Sequence, residues 1–204
     1  NDPALRATYN FAAINSINWF RLMARMVYYF VAAAHFAPKP VSFVVPTGNF
    51  GNVYAAYAAS KCGLPISRLA VASNRNDIVA RFFQTGRMKA EAVQSSLSPS
   101  MDIQVSSNFE RLLYDLCGGN GTEVRKYLAG GEFAVTPKQL GQARQIFTAA
   151  RVDDDQTLAT IRAVYDETGY ILDPHSAVGV GAARMLAKEL PHPAISLACA
   201  HPVK

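Results

Sequence analysis

Apolar side chains recur at Ile17, Trp19, Phe20, Met23, Met26, Val27, Phe30 and Val31, a spacing that predicts a helix over 15–37 with a well-buried face. Ser16 and Asn18 suit its N-terminus, and Pro38 and Pro40 end it. The next run, Val41-Ser42-Phe43-Val44-Val45, is β-rich without clean alternation, which predicts a strand covered on both faces. Residues 46–52 then read as a loop, 53–62 as an alanine-rich helix closed by Gly63, 68–72 as a strand after Pro65, and 77–84 as a helix. Strand, helix, strand, helix with short connections implies the α/β class, with a parallel sheet flanked by helices and right-handed crossovers.

The middle of the chain is less regular. Residues 92–107 are rich in serine and contain Pro99, the pattern of an extended functional loop or a domain crossing. Helices are predicted over 108–117, 121–129, 137–150, 154–168 and 176–190. The acidic run Asp153-Asp154-Asp155 favours a helix start there through the dipole. An apolar strand over 194–198 closes the pattern, and no internal repeat or low-complexity segment interrupts it.

Composition narrows the function. The chain has 204 residues, 50% hydrophobic and 17% charged, enough for one substantial core or two small ones and incompatible with disorder. The net charge is +5, but the basic residues are scattered. Neither a nucleic-acid stripe nor a membrane-binding face is expected, whereas a small-anion site is compatible. The most apolar stretch, 26–34, is about half the roughly 20 residues of a membrane span, and no secretory signal is visible. Cys62, Cys117 and Cys199 are widely spaced and odd in number, which suggests neither a disulfide framework nor a zinc site and points to a reducing, cytoplasmic location. His35, His192 and His201 lack metal-ligand spacing, so no metal is expected. The chain opens at Asn1 without an initiator methionine and stops at Lys204, which reads as a processed chain or a piece of something longer.

The most informative segment is Val44-Val45-Pro46-Thr47-Gly48-Asn49-Phe50-Gly51-Asn52, where a strand enters a glycine-containing turn that opens into a helix. Gly48 and Gly51 permit close backbone approach, so several N–H groups can converge on one anion, with Thr47, Asn49 and Asn52 adding side-chain donors. The shortage of positive charge nearby suits a phosphate held by dipoles. The alternative is a tight strand-to-helix turn with Asn52 as an ordinary N-cap. Asn15-Ser16-Ile17-Asn18-Trp19-Phe20-Arg21 is a second candidate: two polar side chains at a helix start, with a guanidinium about one turn on, can grip a phosphate or carboxylate, or simply cap the helix. Around Gly169-Tyr170-Ile171-Leu172-Asp173-Pro174-His175-Ser176, Asp173 or Ser176 reads as a cap and His175 as structural. Ser100 to Asn108 reads as a cap and packed loop. No GxSxG nucleophile elbow is present.

Taken together, several segments resemble the threonine synthase family, fold-type II enzymes that use pyridoxal 5'-phosphate. They are Asn15-Ser16-Ile17-Asn18-Trp19, Pro46-Thr47-Gly48-Asn49-Phe50-Gly51-Asn52, Asn76-Asp77-Ile78 with Arg81-Phe82-Phe83, Ser98-Pro99-Ser100-Met101-Asp102-Ile103, Ser106-Ser107-Asn108-Phe109-Glu110-Arg111-Leu112-Leu113, Gly169 to His175, and Ala200-His201-Pro202. They run in family order over almost the whole chain.

The resemblance implies that residues 1–204 are the C-terminal portion of such an enzyme, mainly its large α/β cofactor-binding domain. Gly48, Asn49, Phe50, Gly51 and Asn52 would hold the cofactor phosphate. Cys199, where the family usually has threonine, would face the pyridine nitrogen. Asn15, Ser16 and Arg21 would hold the phosphate of O-phosphohomoserine, and the implied reaction is γ-elimination of that phosphate followed by addition of water at Cβ. None of Lys39, Lys61, Lys89, Lys126, Lys138, Lys188 or Lys204 lies in the Phe-Lys-Asp context of the family's cofactor-linking lysine. No catalytic residue is therefore expected in this chain, and the missing N-terminal portion becomes an expected partner. His175-Ser176 stands where a His-Thr pair is usual. Two other readings stay open: a non-catalytic remnant or interaction module of the same fold, and a fold-type II dehydratase or β-replacing relative acting on another amino acid.

Overall fold

Val41–Pro46 (β1) is buried at all six positions, as expected for a strand with both faces covered. Phe43 and Val45 point into one apolar cluster with Leu69 and Val71 of Ile66–Ser73 (β2), while Val44 joins Ala70 and Ala72 in a second cluster on the opposite face. The period-two alternation of side chains thus feeds two cores, one on each side of the sheet. The computed structural model describes residues 5, 8, 9 and 17–203.

In these residues β1, β2, Phe147–Arg151 (β5) and Ala194–Ser196 (β6) form a four-stranded sheet in the order β5-β2-β1-β6. Every pairing is parallel. Arg87–Met88 (β3) and Phe133–Ala134 (β4) make a separate antiparallel pair. Trp19–Ala34 (α1) packs on Gly51–Lys61 (α2), and these two helices with Ile78–Thr85 (α3), Phe109–Leu116 (α4), Gly121–Leu128 (α5) and Pro137–Arg144 (α6) contribute to the larger core. Asp154–Thr168 (α7) packs on Pro174–Met185 (α8), and α8 covers the other face of the sheet.

Three expectations are corrected. The helix predicted over 137–150 stops at Arg144, and 147–151 is β5, because the Leu69 N–H bonds the Ile146 carbonyl at 2.8 Å and Phe147 pairs with Leu69. Pairing with β2 overrides the helical propensity of the Ala- and Gln-rich stretch. The last predicted helix, 176–190, is α8 and ends at Met185.

The third concerns α1, whose predicted apolar face is mostly not buried. Leu22, Tyr29 and Ala33 form its inner stripe, whereas Phe20, Val27 and Val31 are 77, 60 and 57% exposed. The two sets are offset by two residues, about 200° around the helix, so the helix is apolar on opposite sides and only one side meets a described element. Asn18 caps α1 by accepting from the Phe20 N–H at 2.9 Å. Ser16, the other expected cap, lies outside the described residues.

Candidate cofactor site

Because all four strands are parallel, the carboxyl ends of β1, β2 and β6 share one rim. The chain passes from β1 to β2 in one direction, while β6 lies on the far side of β1. The crevice outside the strand ends at such a reversal is the general ligand position of open α/β sheets. Tyr28, Asn52, Ser196, Leu197 and Cys199 line an open groove there.

The β1–α2 turn forms one wall. Its sharp bend is made by Phe50, in the left-handed region at φ 65°, with no side-chain cap on α2. That conformation costs a non-glycine residue about 1–2 kcal/mol. The ring is fully buried against Phe83, Phe109 and Phe147, with centroids at 6.3, 5.2 and 5.8 Å, and this burial offsets the strain. The glycines serve close approach instead. A Cβ on Gly48 would sit 3.1 Å from the Met101 Cα and 3.2 Å from the Ile103 Cδ1; one on Gly51 would sit 3.0 Å from Arg25 Nη1 and 3.1 Å from Asn108 Nδ2.

The polar groups of the turn divide by direction. Ser106 Oγ donates to the Gly48 carbonyl at 3.0 Å, and the Asn108 N–H donates to the Asn49 carbonyl at 3.1 Å. Since a trans peptide is planar, the Phe50 N–H points opposite to that Asn49 carbonyl. The Gly51 N–H donates to Asn49 Oδ1 at 3.0 Å. The N–H groups of Gly48, Phe50, Asn52 and Val53 have no hydrogen-bond partner among the described residues. Phe50 and Val53 are fully buried, where an unmade bond is costly, so the turn offers donors that an anion at the α2 N-terminus satisfies.

Two expected donors behave differently. The Thr47 hydroxyl donates back to the Val45 carbonyl at 2.6 Å. Asn52 is not an N-cap; it lies inside α2, where the Tyr28 hydroxyl donates to its Oδ1 and the Tyr29 hydroxyl reaches its main-chain carbonyl at 3.0 Å. Burial holds the Tyr29 phenol well above its ordinary range, with the neighbouring Tyr28 adding to it, so Tyr29 stays protonated as a donor.

Cys199 follows β6 and shares the groove with Asn52. Its thiol is reachable from solvent, yet desolvation by the surrounding protein and then the Asp173 carboxylate push it up to about 11. Its backbone is pinned by α8. Asp173, the N-cap, accepts from the N–H groups of His175 at 2.9 Å and Ser176 at 3.2 Å, from the Ser176 hydroxyl, and from the Ala200 N–H at 3.2 Å. The Ser176 oxygen in turn accepts from the Cys199 N–H at 2.8 Å. His175 is structural, as expected: its Nε2 accepts from the Ser100 N–H at 3.3 Å, leaving Nδ1–H for Asp173 at 3.1 Å. Burial alone would raise the Asp173 carboxyl, but the hydrogen bonds from Ser176, Ala200 and His175 outweigh it and hold the group below its ordinary value.

Of the residues expected at a second anion site, Arg21 is exposed in the first turn of α1, and Asn15 and Ser16 lie outside the described residues. Two further cations, given no individual role by the sequence pattern, stand on or beside α1. Arg111 Nη2 donates to the Ile17 carbonyl at 2.7 Å and stacks over Trp19 at 5.6 Å. Arg25 lies against Gly51, which corrects the expected shortage of positive charge near the turn. Its signal was the spacing of four from Arg21, which places both on one helix face. Among the described residues, the buried hydroxyls of Ser73 and Ser196 lack hydrogen-bond partners. No cluster of three His, Cys, Asp or Glu groups there is suited to a metal, and no helix there is long and apolar enough to cross a membrane.

Unfilled donors at the α2 start and a protonated thiol bordering the groove fit a phosphate-bearing ring cofactor. The family model described as pyridoxal-phosphate dependent enzyme matches residues 1–199, and the chain belongs to that family. Within it the chain is similar to threonine synthases. It is 51% identical over 198 residues to the threonine synthase of Pseudomonas aeruginosa, covering 94% of this chain and 42% of that one. It is 41% identical over 228 residues to that of Saccharomyces cerevisiae, covering all of this chain and 44% of that protein. A crystal structure of PLP-bound threonine synthase from Brucella melitensis superposes with a TM-score of 0.92 at 44% identity, covering 98% of this chain and 44% of that one. The chain thus spans less than half the length of these relatives.

Proposed function

We propose that the chain is the C-terminal portion of a threonine synthase, which converts O-phospho-L-homoserine and water to L-threonine and phosphate with pyridoxal 5'-phosphate. The N–H groups of Gly48, Phe50, Asn52 and Val53, unpartnered among the described residues, carry this reading, because they supply donors where a phosphate needs them, at the N-terminus of α2. Similarity to threonine synthases supports O-phosphohomoserine as the substrate.

When bound, pyridoxal phosphate supplies an electron sink for carbanion chemistry. In our reading the Gly48–Asn52 turn grips the cofactor phosphate, with Asn49, Phe50 and Gly51 setting the path of its backbone. Asn52 borders the ring site, its carboxamide fixed by Tyr28 and Tyr29. Cys199, its proton kept on Sγ, would offer the cofactor ring a weak neutral hydrogen-bonding partner. Asp173 and Ser176 are positioning residues that hold the Cys199 backbone. Asn15, Ser16 and Arg21 bind the substrate phosphate. The lysine that links the cofactor and moves protons comes from the N-terminal portion, and the outer stripe of α1, with Phe20, Val27 and Val31, is the surface that portion covers. A cytoplasmic location accords with the free thiols of Cys62, Cys117 and Cys199.

Borohydride reduction of the assembled enzyme, followed by peptide mapping and a threonine-formation assay on O-phosphohomoserine, tests the proposal. The expected result is a reduced adduct on a lysine outside residues 1–204, together with threonine formation. An adduct on any lysine of this chain, or turnover of serine without turnover of O-phosphohomoserine, would overturn it.

A further inference from the structure

Arg25 reaches from α1 to the first turn of α2, where its Nη1 would lie 3.0 Å from a Cβ on Gly51. Only partly exposed, it makes no hydrogen bond or ion pair with any described residue. Other arginines of the chain are engaged: Arg75 with Asp154, Arg81 with Asp77, Arg184 with Glu167, and Arg144 with the carbonyl of Phe83. A half-buried guanidinium with no hydrogen-bond partner among the described residues thus stands at the first turn of α2, where the N–H groups of Asn52 and Val53 likewise have none among those residues.

From this juxtaposition we infer that Arg25 is a ligand of the phosphate monoester held in the Gly48–Asn52 turn, closing with a full positive charge a site the backbone builds from dipoles. Under the function proposed above, on which this rests, that phosphate belongs to the cofactor. A guanidinium suits the task because its planar fork donates two parallel hydrogen bonds to a phosphate and keeps its charge at any working pH. The absence of a side chain at position 51 has a reason in the same geometry. Any Cβ there would press on Arg25 Nη1 and on Asn108 Nδ2 at 3.1 Å, displacing the guanidinium from the turn. Arg25 also acts on the Tyr28 and Tyr29 phenols, lowering both against the larger effect of burial, which agrees with a position next to Asn52. Arg21 lies one turn earlier and is exposed; under the function proposed above it serves the substrate phosphate.

The test compares affinities of the apo form of the complete enzyme for pyridoxal 5'-phosphate and for pyridoxal, which lacks the phosphate, by fluorescence titration, with ³¹P NMR of the bound cofactor. Arg25→Gln is expected to weaken pyridoxal-phosphate binding about 10- to 100-fold, to leave pyridoxal binding unchanged and to move the ³¹P resonance. Arg25→Lys should restore part of the loss, and Arg21→Gln should leave cofactor affinity intact. Equal weakening of both ligands would make Arg25 a structural residue, and unchanged affinity for both would remove it from the site. Normal cofactor binding with a raised KM for O-phosphohomoserine alone would reassign Arg25 to the substrate phosphate and overturn the inference. Failure of the underlying reading looks different: wild-type enzyme would then bind pyridoxal and pyridoxal phosphate equally well.

Discussion

The Ser176 hydroxyl joins two segments far apart in sequence: it donates to the Asp173 carboxylate and accepts from the Cys199 N–H at 2.8 Å. A helix N-cap thereby fixes the backbone that presents the Cys199 thiol to the groove. The hydroxyl, and not the particular residue carrying it, matters here. Ser176→Ala is expected to cost about 1–2 kcal/mol in urea unfolding, the price of a broken buried hydrogen-bond relay, while Ser176→Thr should stay within about 0.5 kcal/mol of wild type. Equal losses for the two variants would show that the relay through the hydroxyl is unimportant.

Asp173 gives stability a pH dependence of known sign. Its carboxyl is held below the ordinary value of 3.8, so the unfolded chain takes up the proton first as pH falls. Its stabilising contribution is complete above the ordinary value and disappears as pH drops through the native one. Asp173→Ala should therefore cost about 2–3 kcal/mol near neutrality, for a lost cap plus buried hydrogen bonds. The difference from wild type should shrink below about pH 3.5. A difference that is constant from pH 3 to 7 in thermal unfolding would contradict the assignment.

The Cys199 thiol, at about 11 instead of 9.0, carries about 100-fold less thiolate at pH 8 than an unperturbed thiol. Alkylation by iodoacetamide, followed residue by residue by mass spectrometry, should be correspondingly slow at Cys199 and rise with pH to a midpoint at about 11. A midpoint near pH 9 would mean that the desolvation is absent in solution.

Substitutions at the two turn glycines should separate. A Cβ on Gly48 meets the Met101 backbone at 3.1 Å, whereas one on Gly51 meets only side-chain ends, of Arg25, Asn108 and Asn49. Gly48→Val is expected to destabilise the fold by about 2–3 kcal/mol through forced backbone movement and to abolish cofactor retention. Gly51→Ala should cost less than about 1 kcal/mol in stability yet weaken cofactor binding by displacing Arg25. Calorimetric melting paired with cofactor titration of each variant distinguishes the two patterns.

The outer stripe of α1 offers a contrast between this chain and the complete enzyme. Phe20→Ser and Val27→Ser should change the stability of the 204-residue chain by less than about 0.5 kcal/mol, since both residues are exposed in it. In the complete enzyme each should cost about 1–3 kcal/mol as buried apolar contacts are lost. Equal effects in both settings would remove α1 from the proposed interface with the N-terminal portion.

The features legible in the sequence are those set by neighbours along the chain. The apolar run 41–45 became β1, and the helix predicted over 154–168 coincides with α7, where Asp153 and Gln156 form a reciprocal capping box. The β1–α2 turn was recognisable as an anion candidate because strand, glycine and helix start are adjacent in sequence. Tertiary contacts decided the rest. Residues 147–151 became β5 because the edge of β2 offered hydrogen bonds that outweigh local helical preference. Phe50 rather than glycine took the left-handed bend because three distant phenylalanines bury its ring. Arg25 came to lie over Gly51 only when α1 packed on α2. Periodicity and capping act over a few residues and can be read from order alone; a strand's partner, an aromatic pocket and the company of a charge depend on which surfaces folding brings together.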